Sequence, residues 1–452
     1  MARSFLALIA LCAALSLGGC SFFRRTPPKA TLPVVAVRTA TMDVTPGIKV
    51  MANLRLPAGF VPNPAREPMW LQNGTEVAVI GAERARTEIY GYSGPGWKNR
   101  RLIAADRGPG ARDGVIVDVA ADQNGMSLAY AVYDPGKERI EVVVRDLIAA
   151  GDGHPVATFY GDFASASVAW LNPVTIALAL RDKPVAAHAQ PANPQEAKPA
   201  RSKPGLYVIG INGMVTAEFE AVKCPLSPLV WGPRRLHAVG QGDRDVPPIL
   251  LTREGPSCEP LFAQGPIRVI AWSPDGSSFL YVQRGIDGVE STYRYRIGKN
   301  VAPALTVVSS KAAAFTSAGD VLALGNSGLT FGAASRFPNR PIRAELALSH
   351  ASRHELDVVS LGFKTTPALL AESTMAYSQR SDRAAMDTFL PTKSGVFRRI
   401  ITYSLATQSA FVVAYGPARG PVEMSWSPAG KYLALVDDGG EQAVLTIMEP
   451  PQ

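Results

Sequence analysis

Apolar residues recur along this chain in short runs of four or five, each entered through a tight-turn signal, and no long helical heptad period is visible. The fullest copy is Trp272-Ser273-Pro274-Asp275-Gly276-Ser277-Ser278 followed by Phe279-Leu280-Tyr281-Val282. Pro274 presets φ for the second position of a type I turn, Asp275 tolerates the next position and Gly276 suits the exit. The run behind the turn is apolar in both phases, Phe279 and Tyr281 against Leu280 and Val282, so it reads as a strand buried on both faces.

Weaker copies recur: 70–74 before 77–80, 121–125 before 128–132, 170–173 before 176–180, 231–233 before 236–239, 315–319 before 321–324, a faint one at 375–377, and 426–430 before 432–435. With the Trp272 copy they make eight candidates. Trp70, Trp170, Trp231, Trp272 and Trp426 share one place in the unit, and only Trp97 is out of step. At least one more extended run follows most copies, as at 140–144, 206–209, 249–251 and 400–403. Small antiparallel meanders with a period of roughly 40 to 60 residues stack around an axis, each burying a face it cannot bury alone. The pattern therefore predicts an all-β fold, a β-propeller of seven to eight four-stranded antiparallel blades over residues 34–452. Two tandem β-sandwiches would give no common Trp position.

Two stretches interrupt the period. Residues 183–204 are rich in Pro and Ala and read as a disordered loop inside one blade; the long segment Gly325 to Thr366 blurs the blade count. The last unit offers three strands, 424–427, 432–436 and 443–447, where four are expected. An N-terminal strand, from 34–37 or 48–51, is predicted to pair with that blade and close the ring.

The N-terminus has a different character. Met1-Ala2-Arg3-Ser4 precedes an apolar run, 5–17, shorter than the roughly 20 residues that span a bilayer, and reads as an export signal. The run ends in Leu17-Gly18-Gly19-Cys20, which resembles the lipobox of bacterial lipoproteins. That resemblance implies removal of residues 1–19, acylation of Cys20, a polar tether over 20–33 and anchoring to a membrane through the lipid. Ser21 in place of Asp implies sorting to the outer membrane, facing the periplasm.

The Trp-Ser-Pro-Asp-Gly turn at 272–276, with its variant at 426–430, is similar to the repeat of TolB-type propellers, and the likeness extends over about residues 66–450. It implies the fold and assigns a role to no individual residue.

Composition agrees with a turn-rich β protein: 47% hydrophobic, 19% charged, 40 Gly and 37 Pro in 452 residues. The formal charge is +8. Loss of Arg3 with the signal leaves 45 basic against 38 acidic residues, or +7, which favours anionic lipid or an acidic partner. The densest basic cluster, Lys98, Arg100, Arg101, Arg107 and Arg112, is expected to be a solvated loop. No aromatics interleave with it as a nucleic-acid platform requires, so no nucleic-acid partner is expected.

Candidate chemistry is sparse. No Gly-x-Ser-x-Gly elbow is present, and catalysis is not expected. His350 and His354 have a spacing that could share a metal but lack a third ligand. Asp122, Asn124, Asp437 and Asp438 could suggest calcium, though turn formation explains them. No metal or cofactor is expected. Cys224 and Cys258 form a candidate disulfide: an oxidising compartment favours the bond, while placement on successive blades puts the two near opposite rims. The expected function is a lipid-anchored periplasmic scaffold that binds another envelope protein. The alternative is a central channel that binds a small molecule, glycan or peptide as a sensor or lyase-like enzyme. A polar, charge-converging channel would favour the second, and an exposed apolar rim the first.

Overall fold

The computed structural model describes residues 42–332 and 373–451, short intervening stretches excepted, the longest of them 106–113 and 184–199. The signal segment, Cys20, the tether, the strand candidate 34–37, Arg107, Arg112, most of 183–204, Cys224, His350 and His354 lie outside the described residues.

Among the described residues the strands pair into eight antiparallel sheets, the upper end of the expected count. We number them as blades 1 to 8: 60–105, 115–160, 163–220, 229–260, 267–307, 313–332, 375–417 and 422–449. The innermost strands are, in order, Met69–Leu71, Val115–Ala121, Phe163–Asn172, Leu229–Trp231, Ile267–Trp272, Ala313–Phe315, Met375–Ser378 and Val422–Trp426. In blade 1 the inner place is shared by Phe60–Pro62 and Met69–Leu71, both paired with Glu76–Glu83. Blade 6 shows three strands within the described residues. The innermost strand of blade 8 lies beside that of blade 1, so the sheets form a ring.

The ring is closed by the N-terminal part of the chain. Strand β1 (Asp43–Val44) adds to the outer edge of blade 7, pairing with Tyr415 and Ala414. Strand β2 (Lys49–Arg55) forms the outermost strand of blade 8 against Val444–Glu449. Of the two candidates for this role, 48–51 was therefore the right one, with the strand running four residues further. The carboxylate of Asp437 accepts the Met42 N–H at 3.1 Å, Lys49 Nζ meets Glu449 at 2.8 Å, and Arg383 donates to the carbonyls of Pro450 and Pro451. Both chain ends of the propeller are thus tied to the same two blades.

Strands apolar in both phases do divide their faces between neighbours. Phe279 and Tyr281 pack with Val239, Leu250 and Leu261 of blade 4, while Leu280 packs with Ala313, Phe315 and Val321 of blade 6. A blade cut from the ring would expose both faces, which is why the repeat needs its neighbours.

The repeated tryptophans carry a second link. Trp70 Nε1 donates to Ser425 O at 3.2 Å, Trp170 Nε1 to Ala120 O at 3.1 Å and Trp426 Nε1 to Ala376 O at 3.2 Å. Each acceptor is the residue just before the Trp position of the preceding blade. The indole therefore packs within its blade and ties it to the one before. Trp272 makes no such bond, its buried Nε1 having no partner; its ring rests on Gly232, where a Cβ would lie 3.1 Å from the indole. Trp97, out of step in sequence, joins Trp70 and Tyr432 in an aromatic trio between blades 1 and 8, with centroids 5.4 to 6.5 Å apart.

The turns are held by the residue that follows the Trp position. Ser273 Oγ accepts the Ser278 N–H at 2.9 Å, Ser427 Oγ the Tyr432 N–H at 3.0 Å, Thr316 Oγ1 the Asp320 N–H at 3.1 Å and Asp122 Oδ1 the Met126 N–H at 2.6 Å. A short oxygen-bearing side chain here satisfies a backbone donor that the reversal leaves open. This is what Asp122 does, whereas Asp437 has the different role of anchoring Met42. Gly125 is needed twice over: its φ is +65°, and a Cβ would lie 2.7 Å from Leu71 Cα in blade 1.

One expectation fails. Arg101 is not a solvated member of a basic loop but pairs with the fully buried Glu76, Nε to Oε1 at 2.7 Å and Nη2 to Oε2 at 2.6 Å. Glu76 is followed on its strand by the buried Val77, Ala78, Val79 and Ile80, and a buried carboxylate requires such a partner.

Deleting residues 43–55 removes both closing strands; the expected result is a fall in Tm of at least about 5 °C, or failure to fold, read by circular dichroism. An unchanged Tm would show that the ring does not depend on them. Trp170→Phe should lose about 1 kcal/mol more stability in urea denaturation than Trp272→Phe, since only the first breaks a hydrogen bond between blades.

Candidate functional site

The innermost strands turn one edge toward the axis, where no further strand can pair with them. Side chains supply the missing partners across blades. Asp118 Oδ2 accepts the Val168 N–H at 2.8 Å, Ser167 Oγ the Leu229 N–H at 3.3 Å and Gln241 Oε1 the Val269 N–H at 2.9 Å. Ser425 Oγ donates to Pro68 O at 2.5 Å, linking blade 8 to blade 1. In every pair the side chain belongs to one blade and the backbone group to the next, so these bonds fix the spacing of the ring at its narrowest radius.

Inside this ring lies a channel with a volume of about 450 Å³, lined by residues of all eight blades. Its apolar wall includes Val117, Leu229, Val269, Ile270 and Met375, and its charged groups are Arg66, Glu67, Asp118, Arg268 and Glu423. Arg66 forms an ion pair with Asp118, and Glu423 has its own partner. The side chains of Glu67 and Arg268 carry no hydrogen bond or ion pair among the described residues, though each lies in the other's field. Glu67 is exposed as a residue, although protein crowds closely around its carboxyl. The loss of bulk hydration pushes its pKa up to about 7, against the opposing pull of Arg268.

A second cleft, of about 260 Å³, opens on the rim between the turns of blades 4 and 5, bounded by Pro233, Arg234, His237, Asp275 and Ile297. Here the Ser273 hydroxyl, together with the Ser277 N–H and hydroxyl, holds the Asp275 carboxyl down to about 2. The same rim on blade 3 is apolar. Val174 and Met214 are 54% and 67% exposed, with Ile211 and Val215 beside them in sequence or contact. The two tips that carry them are joined by Ile211 N–H donating to Val174 O at 3.1 Å. Arg234, on the adjacent blade 4 turn, is exposed.

None of the channel charges stood out in the sequence: Glu67, Asp118 and Arg268 come from separate repeats, and only ring closure brings them together. Their one common signal is a charge next to or within an innermost strand, where an apolar residue is usual. Among the described residues no group of three or more metal-ligating side chains occurs. Cys258, on the outermost strand of blade 4, is engaged in a disulfide, while Cys224, the other half of the candidate pair, lies outside the described residues.

Asp118 serves two blades at once, so Asp118→Ala should cost about 2 kcal/mol, chiefly by stranding the buried Val168 N–H, since the Arg66 side chain is 40% exposed. Asp118→Asn keeps an acceptor for Val168 and should cost distinctly less; equal losses in urea denaturation would contradict this assignment.

No protein-family model matches this sequence, and no curated protein matches it. Solved structures similar to it include β-propellers. One, described as the Dos1 propeller, is 10% identical with a TM-score of 0.49, the match covering 89% of this chain and 95% of that one. The Cps50 (Swd1) β-propeller domain of Myceliophteria thermophila is 12% identical with a TM-score of 0.44, over 91% of this chain and 100% of that one. TolB from Acinetobacter baumannii is 12% identical with a TM-score of 0.32, over 84% of this chain and 65% of that one. These likenesses concern fold alone, and the fold itself rests on the strand pairing described above.

Proposed function

We propose that this protein is an interaction scaffold: a rigid β-propeller, tethered through an acylated Cys20 to the periplasmic face of a bacterial outer membrane, that presents one rim to another envelope protein. The observation that carries this reading is the group of exposed apolar side chains, Val174, Ile211, Met214 and Val215, at the joined tips of blade 3. Turn tips on a soluble surface are ordinarily polar, and apolar ones gathered at one place mark a contact. Burying each would contribute on the order of 1 kcal/mol. The exposed Arg234 next to the patch and the positive balance of the chain favour an acidic border on the partner. The blades behind the patch are cross-tied by tryptophan and polar bonds, so the tips are held on a stiff support, as a recognition surface requires.

The test is crosslinking and affinity recovery of the acylated protein from membranes. A stoichiometric protein partner is expected with the native chain and with Leu102→Asp, an exposed control in blade 1, and is expected to be lost with Ile211→Asp combined with Met214→Asp. Retention of the partner by the double variant would overturn the assignment of the surface. Cys20→Ser should release the protein from the membrane fraction; a variant that stays membrane-bound would remove the lipid anchor from the proposal.

A further inference from the structure

The polar groups of the channel fall into two sets. Asp118, Ser167 and Gln241 are consumed by the fold, each holding a backbone N–H of the next blade. Arg66 is bound to Asp118 and Glu423 is partnered. Glu67 and Arg268 are left over, since neither side chain hydrogen-bonds or pairs with any described residue. Both line the 450 Å³ channel. Glu67 enters from blade 1 and Arg268 from blade 5, four places apart in a ring of eight, so the two stand on opposite sides of the axis.

Two opposite charges thus face one chamber without meeting, both of them exposed within it. Neither gains a protein partner among the described residues. They are also rigidly placed. Glu67 sits between Pro64 and Pro68, in a turn closed by the Arg66 N–H on Asn63 O and pinned by Ser425 on Pro68 O. Arg268 follows Ile267, whose N–H is bound to Gln241 O, and precedes Val269, whose N–H is bound to the Gln241 side chain. Groups fixed in this way are preorganised for a ligand. A simple cation would satisfy Glu67 alone, and a simple anion Arg268 alone. A molecule with a positive end and a negative end satisfies both.

We propose that the channel is a binding site for a zwitterionic small molecule, an amino acid or short peptide with free termini, whose ammonium group meets Glu67 and whose carboxylate meets Arg268. The chamber is of the size that holds a small organic ligand, and its Val117, Ile270 and Met375 walls can take an apolar side chain. The Glu67 pKa stands at about 7, so an ammonium group set against it favours the carboxylate, and binding at pH 7 releases part of a proton. This site is separate from the blade 3 rim and stands or falls without it.

The proposal is tested by equilibrium dialysis of the purified full chain against a pool of free amino acids and random di- and tripeptides, with retained species read by mass spectrometry. Members with free termini should be retained, and N-acetylated or C-amidated pools should be retained at least about tenfold less. Glu67→Gln should abolish the discrimination against N-acetylated members, and Arg268→Gln that against amidated members, both variants having native melting curves; a variant that fails to melt cooperatively is replaced by Glu67→Asp or Arg268→Lys. Binding should survive in the Ile211→Asp, Met214→Asp double variant. Retention of no member of the free pool, or equal retention of free and blocked pools, would overturn the proposal.

Discussion

No blade of this protein can satisfy its own surfaces. The strands behind each turn are apolar on both faces, and the innermost strand has an edge that finds no strand partner, so every sheet depends on the two beside it. Such a chain of dependences is stable only when it returns to its start. The pairing of β2 with Val444–Glu449 makes that return, and the indole bonds, the cross-blade side-chain bonds and the channel presuppose it. The channel exists only while blades 8 and 1 are held together.

Within that constraint the structure separates two kinds of polar group. Most buried polar side chains are spent on geometry: Asp118, Ser167 and Gln241 space the inner strands, and Glu76 with Arg101 fastens blade 1. Breaking any of these leaves a desolvated group without a partner, a larger loss than the interaction itself. A few groups are left outside the structural bonding, the apolar tips of blade 3 and the facing charges of the channel among them. They lie on different parts of the molecule, one at a rim and one on the axis, and the stiffness of the blades lets each be shaped independently of the other.

The architecture was legible in the sequence because a turn and a doubly apolar strand are local signals, repeated often enough for a degraded copy to be recognised by its neighbours. The position of Trp170 and its counterparts disclosed the repeat but not the bond its indole makes, since the acceptor is a backbone carbonyl about fifty residues earlier. The short oxygen-bearing residue after the Trp position recurs in four copies, but as Ser, Thr or Asp, so no single residue type marks it. Trp272 showed the most complete motif yet leaves its indole N–H without a partner. The Arg101 pairing was missed because charge clustering along the chain says nothing about a carboxylate placed beneath it. The channel and the rim patch were illegible for a common reason: each is assembled from single residues of separate hairpins, and neither has a period.

The route by which the chain enters the propeller has a mechanical consequence. Residues 1–41 are continuous with β1, which holds blade 7 by two residues, and then with β2, which holds blade 8 by six. Tension on the N-terminal segment is therefore carried in stages, first by a short pairing that can yield at small cost and then by the strand on which the whole ring depends. Parting the short pairing would leave the ladder of β2 with blade 8 in place.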